Sequence, residues 1–213
     1  MKDRKTLILI MVVVVGVWLT AFFSMYTQEA FYEQAFEEAG VYAHLGNETV
    51  SSFHPVILSF LSKNTLNDLL PELLENQLSA AEKSHLIDVK HLIDYSRILY
   101  GLILVAALSL IAWDLKKKRL KELGEGMEWA GLISMGLLLL SFLSSFFFSS
   151  FFTVFHRIFF PLGNYAFPAT SLLIQLYPEG VFLKGFEIIL GMVLMQSVIL
   201  LMFGYLLKEK AKT

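Results

Sequence analysis

The chain has 213 residues, of which 56% are hydrophobic and 17% charged, and its formal net charge is -2 at pH 7. Soluble domains carry about a quarter charged residues, so this composition, with a mean hydropathy of +0.62, excludes an ordinary water-soluble domain and points to lipid. The absence of a dominant basic face argues against nucleic acid as a partner, and the absence of cysteine removes disulfides, thiolate metal sites and a thiol nucleophile.

The first uncharged run is Thr6 to Gln28. About 20 apolar residues rising roughly 1.5 Å each cross a hydrocarbon core, which predicts a span over about residues 6–27. The basic start at Lys2, Arg4 and Lys5 resembles a signal peptide, but the run is long and lacks a small-x-small cleavage site, so a retained anchor is expected. Segment 28–92 reads as helices and loops. Glu29 to Ala39 is expected to prolong the first helix, and Val50 to Leu61 to form an interfacial helix with Pro55 near its start. A stretch of leucines and acids follows from Asn64 to Leu78. Ser79-Ala80-Ala81-Glu82 is a capping box, a serine followed three residues later by a glutamate. It predicts a helix carrying His85, Asp88 and His91 into the second span, 93–113. The uncharged part of that span, Ile98 to Trp113, is only 16 residues. Its helix is therefore expected to continue outward past Arg97 and Asp94, which share a face and could pair.

A loop over 114–128 precedes the third span, 129–150, within the uncharged run Trp129 to Phe155. Segment 151–185 is dense in aromatics. It has turn signals at Pro161-Leu162-Gly163-Asn164 and Tyr177-Pro178-Glu179-Gly180, with a short apolar helix between them from Thr170 to Leu176. Its aromatic residues suit a belt at a membrane interface. The fourth span is 186–207. No strand alternation persists. The expected fold class is all-α: a polytopic membrane protein with four transmembrane helices and a helical extracytoplasmic cap, forming one membrane domain over 1–213.

Eleven of the 17 Lys and Arg residues fall in the N-terminus, the 114–128 loop and the C-terminal tail, whereas 13 of the 19 acids fall in 29–97 and 156–187. The positive-inside rule then predicts cytoplasmic termini, a cytoplasmic 114–128 loop, and extracytoplasmic segments 28–92 and 151–185. All five histidines lie on the predicted outer side. Counting outward from the cytoplasmic ends of the second and third spans puts His85 and His156 at matching heights, roughly 10–13 Å beyond the hydrocarbon edge if both helices run straight. His91 repeats the context of His85, but six residues place it about 240° round the helix, so the two cannot share a pocket. His44 and His54 read as structural residues, exposed or capped. His85, Asp88 and His156 could instead supply three metal ligands, although no HExxH spacing and no G-x-S-x-G elbow occurs.

The layout, with His85-Leu86-Ile87-Asp88-Val89-Lys90, Phe155-His156-Arg157-Ile158-Phe159-Phe160, Asn164 beside an aromatic, and Tyr177-Pro178-Glu179-Gly180-Val181-Phe182, resembles the lipoprotein intramolecular transacylase (Lit) family. The likeness extends over nearly the whole chain in order, and its motifs are confined to 85–90 and 155–182. Tyr165 stands where the family is expected to favour Trp, which leaves room for an aromatic role but not an indole one. The resemblance implies a bacterial cell-membrane enzyme acting on diacylglyceryl-modified lipoproteins. It would move the sn-2 acyl chain to the α-amine of the N-terminal cysteine, leaving an N-acyl, S-monoacylglyceryl (lyso) product. It implies His85 and His156 as the catalytic pair.

The chemistry agrees with this residue set. An α-amine of pKa about 7.7–8.0 is partly neutral near pH 7, and an imidazole can take its proton and return one to the leaving oxygen. Donor and acceptor sit in one substrate, and no acyl-enzyme is needed. His156 is expected as the general base and His85 as its partner in proton return or oxyanion stabilisation; the reverse assignment remains open. Asp88 is expected to orient His85. Asn164, Tyr165, Arg157 and Lys90 are candidate contacts at carbonyl or phosphate level. Membrane lipids are expected partners, and no metal or cofactor is expected. The alternatives are a metal-dependent intramembrane hydrolase and a non-catalytic membrane sensor.

Overall fold

A computed structural model of the chain describes residues 3–63, 69–161 and 163–212. Leu162 of the first turn signal and the start of the Asn64 to Leu78 stretch lie outside the described residues. In chain order the helices are α1 (Arg4–Met25), α2 (Glu29–Glu38), α3 (Val41–Leu45), α4 (Asn47–Ser62), α5 (Glu72–Gln77), α6 (Ala80–Lys116), α7 (Leu120–Ser145), α8 (Phe148–Phe159), α9 (Leu172–Leu176) and α10 (Glu179–Lys210). Four of them, α1, α6, α7 and α10, are long and apolar enough to cross a membrane. The protein is an all-helical membrane protein.

The chain divides into two compact units. The first comprises Met1–Ser24, Arg97–Leu143 and Glu187–Thr213, and holds the apolar parts of the four long helices. Leu9, Leu123 and Met127 form one cluster of its core, and Val17, Ala21 and Val193 another. Small residues bring α7 and α10 close: a Cβ on Gly204 would stand 2.6 Å from the Gly124 carbonyl, and one on Gly131 would stand 2.9 Å from the Ser197 carbonyl. Close backbone approach through glycine and serine is how helices associate where lipid removes the hydrophobic drive. The outer faces stay apolar, with Leu102, Val105 and Leu108 of α6 each about two-thirds exposed, as a lipid-facing surface requires.

The second unit comprises Met25–Ser96 and Ser144–Phe186. Its core draws on Phe36, Val41, Ile57, Leu74, Leu86, Leu176 and Val181, all nearly inaccessible. The capping box forms as expected: Glu82 accepts from the Ser79 N–H at 2.9 Å and from its hydroxyl at 2.7 Å, while Ser79 Oγ accepts from the Glu82 N–H at 3.3 Å. The second Glu82 oxygen accepts from the Leu173 N–H at 3.1 Å, which ties the start of α9 to the start of α6. Burial pushes the Glu82 carboxyl up, but the hydrogen bonds from Ser79, Leu173 and Ser171 outweigh it and hold the group below its ordinary value.

Several sequence expectations require correction. Glu29 to Ala39 does not prolong α1; a turn at 26–28 separates α2 as its own helix. Pro55 lies in the middle of α4 rather than near its start. The loop expected over 114–128 is far shorter, because α6 runs to Lys116 and α7 begins at Leu120. The reversal uses Lys118 in the left-handed region at φ 56°, and Arg119 pairs with Asp3 and Asp114. The third long helix stops at Ser145, and α8 starts afresh at Phe148, so His156 is not carried on a straight continuation of the third span.

Candidate active site

The described groups discussed below all belong to the second unit. His85 sits on the second turn of α6, where the capping box sets the helix start, and His156 sits near the end of α8. Their ring centroids lie 5.8 Å apart with planes 30° off parallel. Aromatic side chains enclose them. Phe160 meets His85 edge-on at 4.6 Å and Phe167 does so at 5.5 Å, while His156 packs on Phe152 at 4.2 Å and Tyr165 at 5.1 Å. Phe160 is itself buried and touches both imidazoles.

The hydrogen bonds separate the two rings chemically. His156 Nδ1 lies 2.7 Å from the Phe152 carbonyl oxygen. A carbonyl can only accept, so Nδ1 carries the proton, and in the neutral ring Nε2 keeps its lone pair. His85 lies outside the uncharged part of α6, and its Nδ1 is buried without a hydrogen-bond partner. Burial pushes its pKa down to about 4, assisted by the charge of His156 and opposed by Asp88. One imidazole thus presents a directed lone pair at Nε2, and the other is a desolvated ring held neutral by burial beside it.

Asp88 engages a partner other than the expected one. Its Oδ2 accepts from Asn164 Nδ2 at 2.6 Å, and the same amide lies 3.0 Å from Ser84 Oγ. This pins the loop after α8 onto α6 and brings Tyr165, the next residue, against His156. The carboxylate reaches His85 through its field and not through a hydrogen bond to Nδ1. Lys90 faces away from the histidine pair: it is 1% exposed, pairs with Asp94 at 2.6 Å and donates to the Lys63 carbonyl at 3.1 Å. Its position is structural. Arg157 is exposed on α8. Among the described residues, no group of three or more His, Asp and Glu side chains could hold a metal ion.

Three contributors escaped the sequence reading. Phe160 stands in the sequence inside the second histidine motif and Phe167 only inside an aromatic-rich segment, with nothing local to mark either as a wall of the histidine pair. Glu82 was legible as a cap, but its bond to Leu173 joins positions 91 apart. His54, expected to be exposed or capped, is 5% exposed and pairs through Nδ1 with Tyr177 Oη at 2.8 Å. Burial pushes its pKa down to about 4. His44 is exposed as expected.

Comparison with known proteins bears on this arrangement. A family model described as lipoprotein intramolecular transacylase Lit matches residues 5–182. No curated protein matches the chain significantly. Among solved structures, the membrane integral lipoprotein intramolecular transacylase Lit from Bacillus cereus superposes with a TM-score of 0.85 at 19% identity, covering 98% of this chain and 97% of the other. An H85A variant of that protein superposes with a TM-score of 0.77 at 20% identity, covering 98% and 94%. These structures share the fold of this chain.

Proposed function

The chain belongs to the lipoprotein intramolecular transacylase (Lit) family and is an enzyme, and we propose that it moves the sn-2 acyl chain of a lipoprotein's S-diacylglyceryl group onto the α-amine of the N-terminal cysteine by histidine acid/base catalysis. The observation that carries this reading is the stacked His85–His156 pair with Nδ1 of His156 held by a main-chain carbonyl. That bond leaves Nε2 as the one free lone pair, which is what a general base needs.

The steps balance as follows. The neutral amine attacks the sn-2 ester carbonyl through a ring of about eight atoms, so the enzyme's main task is to hold the folded conformer. His156 Nε2 takes the proton released by the amine nitrogen, and the carbonyl oxygen becomes an oxyanion. The bond between the acyl carbon and the glyceryl oxygen then breaks, the carbonyl reforms as an amide, and a proton from imidazolium passes to the departing glyceryl alkoxide. His85, kept neutral by burial, offers an N–H to the oxyanion or relays the returning proton. Phe160, Phe167 and Tyr165 exclude water, which otherwise competes with the amine as nucleophile.

The charge distribution supports cytoplasmic termini and an extracytoplasmic position for the histidine pair. Helix α8 supports contact with lipid. Phe147, Phe151, Val154 and Ile158 recur on one exposed stripe, with Phe147 73% and Ile158 65% exposed, whereas Phe148 packs on Phe186, Phe152 on Phe182 and His156 on Tyr165. Such a helix lies along an interface with its apolar face among acyl chains.

The experiment is mass spectrometry of the N-terminal peptide of a diacylated lipoprotein co-expressed with this protein. An amide-linked acyl chain on a monoacylglyceryl thioether supports the reading; an unchanged diacyl form with a free amine rejects it.

A further inference from the structure

Helix α2 repeats a side-chain pattern the transfer chemistry does not use. Glu29, Tyr32, Glu33 and Phe36 follow at i, i+3, i+4 and i+7 and so share one face. With Tyr42 of α3 and His54 of α4 they line a cavity of about 190 Å³ in the second unit. That is smaller than the roughly 300–1,000 Å³ of sites for drug-sized ligands, so it suits the end of a side chain. Phe36 and Tyr42 meet at 78°, making two walls of a corner, and Tyr32 closes on the His54 ring at 4.4 Å.

The electrostatics are one-sided. No lysine or arginine is among the lining residues. Glu38 on the same helix pairs with Lys184 and Gln34, but among the described residues neither Glu29 nor Glu33 has an ion-pair or hydrogen-bond partner. His54 brings no positive charge, since burial keeps it neutral, and its Nε2 is buried without a partner. Burial and then the carboxylates of Glu33, Glu37 and Glu29 raise the Tyr42 phenol, so the negative field reaches the aromatic wall. Ring faces beside unneutralised carboxylates attract organic cations.

We propose that this cavity binds a lysine side chain of the lipoprotein polypeptide, downstream of the modified cysteine. The identity of the polypeptide rests on the transfer reading above; the alkylammonium chemistry does not. A phospholipid amine fits less well, because its own phosphate would meet the carboxylates of α2 with no lining cation to receive it. The cavity and the histidine pair belong to one compact unit.

The test uses the full-length enzyme in phosphatidylglycerol nanodiscs, whose lipid contains no amine. Nα-acetyl-lysine methylamide is titrated calorimetrically, with the norleucine analogue as the uncharged control. The expected result is saturable binding of the lysine probe alone, weakened about tenfold or more in a Glu29→Gln/Glu33→Gln variant whose unfolding temperature is unchanged. Synthetic diacyl lipopeptides with lysine or norleucine at successive positions after the cysteine are expected to differ in KM at one position and not in kcat, and the double variant is expected to erase that difference. Failure of the lysine probe to bind, or equal binding by the double variant, overturns the proposal. Displacement of the probe by phosphatidylethanolamine nanodiscs, with no displacement by the lysine lipopeptide, overturns it in favour of a lipid headgroup. Carboxylate-dependent binding of the probe without transfer on any lipopeptide sinks the transfer reading and leaves the alkylammonium site standing.

Discussion

The Asp88–Asn164 bond makes a quantitative prediction. Its 2.6 Å length and the carboxylate acceptor place it among charge-assisted hydrogen bonds, about 1.5–3 kcal/mol each. Both partners are half-buried, so the lower part of that range, about 1.5–2 kcal/mol, applies. If the bond serves to hold Tyr165 against His156, its loss raises the barrier by that amount. Asp88→Ala is then expected to cut the rate about 10- to 30-fold at 1.4 kcal/mol per decade. Asn164→Ala is expected to do the same, and the double variant should be no slower than either single one, because both remove one interaction. Asp88→Asn keeps a neutral acceptor and should lose only a few-fold. The assay is mass-spectrometric conversion of a synthetic diacyl lipopeptide, with kcat and KM separated. Additive losses in the double variant would refute the reasoning. So would an Asp88→Asn enzyme as slow as Asp88→Ala alongside a fully active Asn164→Ala, since that pattern assigns the carboxylate to the field at His85.

His85→Ala and His156→Ala are each expected to fall to background conversion with protein abundance maintained, checked by co-expression and immunoblot. Gly204→Ala forces a Cβ to within 2.6 Å of the Gly124 carbonyl and 2.9 Å of the Glu128 amide nitrogen. Overpacking of this kind costs about 1–3 kcal/mol, so a lowered unfolding temperature in detergent is expected. Glu82→Ala leaves the Ser79 and Leu173 N–H groups without their acceptor and is expected to destabilise the enzyme by about 2–4 kcal/mol, with kcat falling as α9 loosens; Glu82→Gln should be milder. His54 and His85 have folded pKa values of about 4 against 6.5 for the free group. Between those values the unfolded chain binds more protons, so stability is expected to fall as pH drops from about 6.5 to 4 and to be flat above neutrality. Thermal unfolding across that range checks this, with His54→Gln reducing the slope.

What could be read in advance follows from the range of each signal. Four spans and the capping box are local patterns of charge, hydropathy and a four-residue spacing, and all of them form. The break between α7 and α8 is different: Ser144 to Phe148 contains neither glycine nor proline, so nothing in the run from Trp129 to Phe155 marks where the helix ends. The same holds at 26–28, where a turn without a breaker starts α2. Pro55 misleads in the other direction, because α4 accommodates a proline in its interior. Asp88 illustrates the limit for site residues. A carboxylate three positions from a histidine on one helix suggests an intrahelical partner, whereas its bond is made to Asn164, 76 residues away. Lys90 stands beside the histidine motif in sequence, yet the helix turns it toward Asp94 and Lys63.

The hydrogen bond from His156 to Phe152 reaches back one turn of its own helix. In many enzymes an acidic side chain fixes the imidazole tautomer, and a single substitution abolishes that control. Here the acceptor is part of the main chain, so no exchange of side chains at position 152 removes it. Unwinding of α8 would release the ring, which couples the tautomer of His156 to the integrity of one helical turn. Ligands or lipids that loosen that turn would therefore free the ring without touching it.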